Sequence, residues 1–190
     1  MYIYLSNFFS VFIMEQIKIQ NVVVSAHVDA VFPLTKIAEE YVDAEYEPEA
    51  FPGLVMRLKD PNITALVFRS GTIVCVGSKT EKEAKAGIEK IMKMIKKLGV
   101  KIEDKYKTKI ENIVAVGTLG YDLNLENLAF KMEDSEYEPE NFPGLICRLK
   151  EPKVSFLVFS SGSIVCVGGK KISDAKEGLA LIEKKLKKYS

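Results

Sequence analysis

The chain has one histidine, three cysteines and almost no net charge, and each shortage excludes something. His27 stands far from Cys75, Cys147 and Cys166, and no CxxC pair occurs. A zinc site needs closely spaced ligands, so no metal is expected. An odd number of thiols in 190 residues points to a reducing compartment where they serve as small apolar side chains. With 27 basic against 26 acidic residues, the net charge is +1. That balance argues against a grip on polyanions by bulk charge, while leaving room for a local basic stripe. The apolar opening, MYIYLSNFFSVFI, is too short to span a bilayer and lacks the basic start and cleavage site of a secretory signal. Met14 then opens MEQIKIQ, so an early-assigned start codon is the expected account of residues 1–13, with an extra edge strand or a partner-binding arm as alternatives. No membrane partner is expected. Gly-rich phosphate loops, GxSxG, HExxH and a repeated Cys–His pairing are all missing, which argues against an enzyme and against a cofactor.

What is present is a repetition. Residues 46–79 read YEPEAFPGLVMRLKDPNITALVFRSGTIVCVGSK, and residues 137–170 read YEPENFPGLICRLKEPKVSFLVFSSGSIVCVGGK. Of these 34 positions 23 are identical, at a constant offset of 91 and without a gap. The same offset carries Asn21 of NVVVS onto Asn112 of NIVAV. Duplication of one unit follows, with a pseudo-twofold molecule as its consequence. The expected division is an N-terminal segment 1–20, a first repeat 21–111 and a second repeat 112–190.

Each unit has the same internal order. A β-branched run reads as a strand, and a short helical stretch follows (PLTKIAEEY; LNLENLAFK). An extended YEPE segment, the FPGL turn and three strand-like runs come next, separated by Asp60-Pro61 and Ser70-Gly71, or Glu151-Pro152 and Ser161-Gly162. A long amphipathic helix closes each copy, with Ala84, Ile88, Ile91 and Ile95 on one stripe of the first. Short strands with tight turns predict an antiparallel sheet and the α+β class.

The strands are apolar on both sides. In TIVCVG, Ile73 and Cys75 point one way and Val74 and Val76 the other; in ALVF, Leu66 and Phe68 oppose Ala65 and Val67. One long and one short helix per unit suffice for a single face. The other face packs on a sheet, encloses a ligand or serves as a binding surface. A pocket for a small apolar ligand is therefore the alternative function from the residues alone. The repeated Phe-Pro-Gly turns are the feature it leaves unexplained.

Taken together, NIV at the head of each repeat, YEPE-x-FPGL-x-x-R, and LVF-x-SG-x-IV-x-x-G resemble the TATA-box-binding protein family over residues 21–190. The resemblance implies a saddle: a curved antiparallel sheet of about ten strands with four helices on its convex side and the minor groove of DNA against its concave side. It implies a general transcription initiation factor that kinks DNA, and architectural proteins of this kind wedge apolar side chains between base steps. The implied wedges are Phe51 with Phe68 and Phe142 with Phe159. Turn context already places Phe51 and Phe142 in solvent, whereas strand context alone favours the core for Phe68 and Phe159.

Asn21 and Asn112 match base-contacting asparagines of the family. Val23, Val114, Leu66, Leu157, Val74 and Val165 match groove-lining positions. Val76 and Val167 stand where eukaryotic members usually carry threonine, which removes hydroxyl contacts and makes the surface more symmetric. Arg57 and Arg148 match phosphate-contacting arginines, and Lys59 and Lys150 assist on the same strand face. Thr72 and Ser163 replace a lysine frequent in the family, so a shallower salt dependence is expected. The implied partners are double-stranded DNA at a TATA box, transcription factor B and the RNA polymerase pre-initiation complex, with a homodimer in the absence of DNA. Glu138 and Glu140 are the implied contacts for transcription factor B. Close similarity of the halves resembles archaeal members, implying a cytoplasmic or nucleoid location, or a nuclear one in a eukaryote.

Overall fold

The computed structural model describes residues 17–103 and 105–189, so the expectations for residues 1–13 lie outside the described residues. The chain forms two compact units, Asn21–Glu111 and a second made of residues 112–189 with residues 17–20.

The first unit holds β1 (Lys18–His27), α1 (Leu34–Glu40), β2 (Ala44–Glu45), β3 (Leu54–Lys59), β4 (Asn62–Val67), β5 (Thr72–Ser78) and α2 (Glu81–Lys97). Its strands run in the order β2-β3-β4-β5-β1, every neighbouring pair antiparallel. The second unit repeats the plan with β6 (Lys107–Thr118), α3 (Leu125–Lys131), β7 (Ser135–Glu136), β8 (Leu145–Leu149), β9 (Val154–Val158), β10 (Ser163–Gly169) and α4 (Ile172–Tyr189), the opening residues of β1 and β6 each belonging to the other unit. There the order is β6-β10-β9-β8-β7, again antiparallel. The class is α+β, as expected, with ten strands and four helices among the described residues.

The period-two pattern decides which face is covered. Ile73 and Cys75 in β5 are fully buried, as are Ala65 and Val67 in β4. They meet the apolar stripe of α2, where Ala84, Ile88, Ile91 and Ile95 are buried. Each buried valine or isoleucine of this layer contributes about 1.5–3 kcal/mol on leaving water. In the second unit Ile164, Cys166, Phe156 and Val158 form the same layer with Leu179, Ile182 and Leu186 of α4. Thr80 caps α2 by accepting the Glu83 N–H at 3.1 Å, and the Glu83 carboxylate reaches back to the Lys79 N–H at 3.1 Å. At α4, Asp174 accepts the N–H groups of Lys170 and Lys171, both at 2.9 Å.

Two details depart from expectation. YEPE is a turn rather than an extended segment: β2 ends at Glu45, and the Glu47 carbonyl accepts from Ala50 at 3.0 Å and Phe51 at 2.9 Å. Pro48 fixes its own φ inside that turn. The opening strand also starts at Lys18, three residues before the expected Asn21. Ile17 and Ile19, just ahead of the first repeat, pack against the core of the second unit.

Candidate nucleic-acid interface

Among the described residues each unit leaves one sheet face without helices, and the sequence-predicted site residues gather there. In the first unit Val55 faces Leu66, Leu66 faces Val74, and Val74 faces Ser25. One step along, Arg57 faces Thr64 and Thr64 faces Val76. The second unit matches with Ile146, Leu157, Val165 and Val116, and then Arg148, Ser155 and Val167. All the apolar members of these rows, with Val23 and Val114, are half-buried. They are covered by neighbouring side chains and not by a helix. Val55, Ile146, Thr64, Ser155, Ser25 and Val116 were not anticipated as part of this surface. The alternation of VMRLK could have revealed Val55, since it shares a face with Arg57 and Lys59.

The asparagines are fixed by a bulge. Val22 faces Ser78 and Val24 faces Cys75, so β5 carries one residue more than β1 across this interval. The extra residue falls at Val76–Gly77, and Gly77 has φ +91°, a conformation that glycine adopts without strain. Its N–H turns out of the ladder and donates to Asn21 Oδ1 at 2.8 Å. Gly168, at φ +97°, donates to Asn112 Oδ1 at the same distance. Because each partner is a donor, the atom facing it must be the amide oxygen. The Nδ2 group of each asparagine is thereby assigned to the other side as a donor.

At the opposite end of the row stand the phenylalanines. Phe51 follows the YEPE turn, and Phe68 follows the last residue of β4. The Phe68 N–H donates to the Thr72 carbonyl at 2.8 Å, which holds the strand end in place. The rings of Phe51 and Phe68 meet edge to face with centroids 5.9 Å apart, and those of Phe142 and Phe159 at 5.8 Å. Glycine makes this approach possible. A Cβ on Gly53 would lie 2.7 Å from Phe51 Cε1 and 3.0 Å from Phe68 Cε1, and one on Gly144 2.7 Å from Phe142 Cε1. All four rings are half-buried, so Phe68 and Phe159 are not in the core.

The arginines are already paired. Arg57 Nη1 lies 2.8 Å from Glu45 Oε2, and Arg148 Nη1 lies 2.6 Å from Glu136 Oε1. Glu45 faces Val55 and Glu136 faces Ile146, so each pair runs diagonally across two strands. The hydrogen bond and charge of Arg148 hold the Glu136 carboxyl below its usual range and raise the arginine in turn. Sequence reasoning missed both carboxylates. Lys59 ends β3, Lys150 follows the last residue of β8, and both are exposed. Glu138 and Glu140 are exposed in the second turn, where Glu138 Oε2 accepts from Asn141 Nδ2 at 2.8 Å.

The thiols lie on the other side of the sheet. Burial pushes Cys75 and Cys147 up to about 12 and Cys166 to about 11, which suits inert core groups. Among the described residues no group of three His, Cys, Asp or Glu side chains could hold a metal, and no helix is long and apolar enough to cross a membrane.

Residues 16–98 and 107–189 each match a family model described as "Transcription factor TFIID (or TATA-binding protein, TBP)". The chain is 46% identical to the TATA-box-binding protein of Archaeoglobus fulgidus over 174 residues, which is 90% of this chain and 95% of that one. Against the TATA-box-binding protein of Methanocaldococcus jannaschii it is 47% identical over 171 residues, covering 90% and 93%. The solved structure titled "Methanococcus jannaschii TBP" superimposes with a TM-score of 0.83 at 45% identity, covering 91% of this chain and 99% of that one. Two copies of the family's unit, with its sheet, its helices and its paired turns, are what the sequence encodes: the chain belongs to the TATA-binding protein family, whose members are DNA-binding transcription factors and not enzymes.

Proposed function

We propose that the protein is a general transcription initiation factor that binds the minor groove of a TATA box through its two helix-free sheet faces and kinks the duplex with its two phenylalanine pairs. The observation that carries this reading is the pair of aromatic rings held over a glycine at the edge of an open apolar row, built twice. Rings in that position suit insertion between base steps, and TA steps unstack readily. The valines and leucines of the row exclude guanine, whose N2 amino group would find neither room nor partner against them. Asn21 and Asn112 contribute the complementary contact. With Oδ1 occupied by the bulge N–H, each turns a donor toward groove acceptors such as A N3 and T O2.

Arg57, Arg148, Lys59 and Lys150 contact phosphates, the arginines by exchanging Glu45 and Glu136 for the DNA backbone. Glu138 and Glu140, exposed beside Phe142, receive basic side chains of transcription factor B, and the bound complex recruits RNA polymerase. Without DNA the same apolar faces are available for self-association.

The test is a titration of end-labelled duplexes, one centred on TATAAA and one rich in G·C. Fluorescence anisotropy reads binding, and energy transfer between the ends reads bending. Tight and bent binding to the TATA duplex alone is expected, with the bend lost in Phe51→Ala and Phe142→Ala. Equal binding to both duplexes would sink the reading.

A further inference from the structure

The open face of the first repeat carries a carboxylate that the second lacks. The row Val55, Leu66, Val74 and Ser25 continues at its β1 end through a side-chain contact, because Ser25 Oγ donates to Glu111 Oε1 at 2.7 Å. Lys109 Nζ donates to the other oxygen of the same carboxylate at 2.9 Å. The bond to Ser25, a residue facing Val74, holds the Glu111 carboxylate at the face that would meet DNA. The offset of 91 puts Val116, Gln20 and Lys18 at the matching positions of the second repeat. A serine, a carboxylate and a lysine in one copy therefore answer to a valine, an amide and a lysine in the other.

The chemistry of the minor groove makes this difference readable. A·T pairs show only acceptors there, and the guanine N2 amino group is the one donor. Over valine and leucine that amino group loses its water and gains nothing, which is the basis of rejection. Beside Glu111 it meets an anionic acceptor already oriented by a hydrogen bond. We infer that Glu111, positioned by Ser25, makes the half-site under the first repeat tolerant of a G·C pair that the second repeat rejects, and so gives the protein a preferred direction on DNA. The inference rests on the minor-groove reading above.

A self-complementary TATATATA duplex tests it, because the protein is free to turn round on that site. Each A·T pair of one half is replaced by G·C, singly and together with its dyad mate, and by inosine·cytosine, which lacks the amino group. At one position a single G·C should weaken binding less than about threefold while the double replacement costs about tenfold or more. Inosine duplexes should show no such gap. A DNA-cleaving probe on Glu49→Cys, in the exposed turn that precedes Phe51, should place the first repeat over the G·C side; the native thiols are buried and leave the label specific. Glu111→Gln should remove the gap, so that the first replacement costs as much as the second. Gln20→Glu combined with Val116→Ser should let the double replacement bind like the single one, a gain that misfolding cannot imitate. Equal and additive costs at every position in the unaltered protein would overturn the inference, as would a gap that survives Glu111→Gln. Failure to bind TATATATA itself would remove the minor-groove reading and this inference together.

Discussion

The two repeats differ most where they face their helices and least where they face outward. On the open side Phe51 and Phe142, Leu66 and Leu157, Val74 and Val165, Val76 and Val167, and Arg57 and Arg148 are the same residue in both copies. Behind them the first unit buries Ala65 where the second buries Phe156, Ile63 where the second has Val154, and Phe32 where the second has Leu123. Space beside the helix glycine is filled in two ways. A Cβ on Gly87 would meet Ile63 Cδ1 at 1.9 Å, whereas one on Gly178 would meet Val154 Cγ2 at 2.8 Å and Phe156 Cε2 at 3.1 Å. A core asks for total volume and tolerates different ways of supplying it. The open face varies less: Val55 answers to Ile146 and Thr64 to Ser155, both small changes, and only Ser25 against Val116 alters its chemistry.

The sharpest way to break that comparison is to exchange the core residues. Phe156→Ala empties a fully buried site and is expected to cost about 3–5 kcal/mol of unfolding free energy in a denaturant titration. The reciprocal Ala65→Phe overfills a packed layer and should cost about 1–3 kcal/mol. If the two substitutions together were harmless, the two cores would be interchangeable.

A second difference appears at high pH. Cys75 and Cys166 occupy matching positions, but Cys147 stands where the first repeat has Met56. Below pH 9 the thiols are neutral in both the folded and unfolded chain. Above it the unfolded chain ionises while buried Cys75 and Cys147 keep their protons to about 12, so stability falls from pH 9 to 12. Each of these two thiols then costs about 1.4 kcal/mol per pH unit. Cys147→Met should remove one such contribution from the pH dependence of the unfolding midpoint. An unchanged alkaline slope would show that Cys147 contributes nothing.

Smaller effects concern the turns and the arginines. Gly53→Ala and Gly144→Ala push a methyl group into the ring pairs, so the energy-transfer signal of bending should drop in both. Both turns should lose about the same signal, because the Cβ site lies 2.7 Å from the first ring of each pair. Unequal loss would mean that the rings alone do not decide. Arg57→Gln and Arg148→Gln each remove one phosphate contact and should make the slope of log affinity against log salt shallower by about 0.9. If the slope stayed unchanged, the arginines would not meet the backbone.

Much of this architecture was legible because the chain states it twice. The offset of 91 aligned every strand and turn of one copy with the other, and the two-sided apolar strands announced an uncovered face. Phe51 was readable from its turn as lying outside the core, though the ring is half-buried against Phe68, whereas Phe68 took the structure to place, since a strand end and a strand interior look alike in sequence. Glu45 beside Arg57 depends on the register of β2 against β3, and Ser25 beside Glu111 joins residues 86 positions apart. Neither leaves a local mark. The bulge at Gly77 was equally silent, because a glycine after a valine run also ends a strand.

Ile17 and Ile19 precede the first repeat yet seal the core of the second unit. Scissors applied at the sequence boundary therefore do not yield two whole pieces: a fragment beginning at Asn112 lacks part of its own hydrophobic lining. A lone ancestral copy would have met the same deficit and could make it good by borrowing the tail of a second molecule. Fusion of two copies would then have kept that loan within one chain. Supplying the isolated second half with a peptide spanning residues 17–27 should restore its cooperative melting, and indifference to the peptide would argue that the copies were self-sufficient from the start.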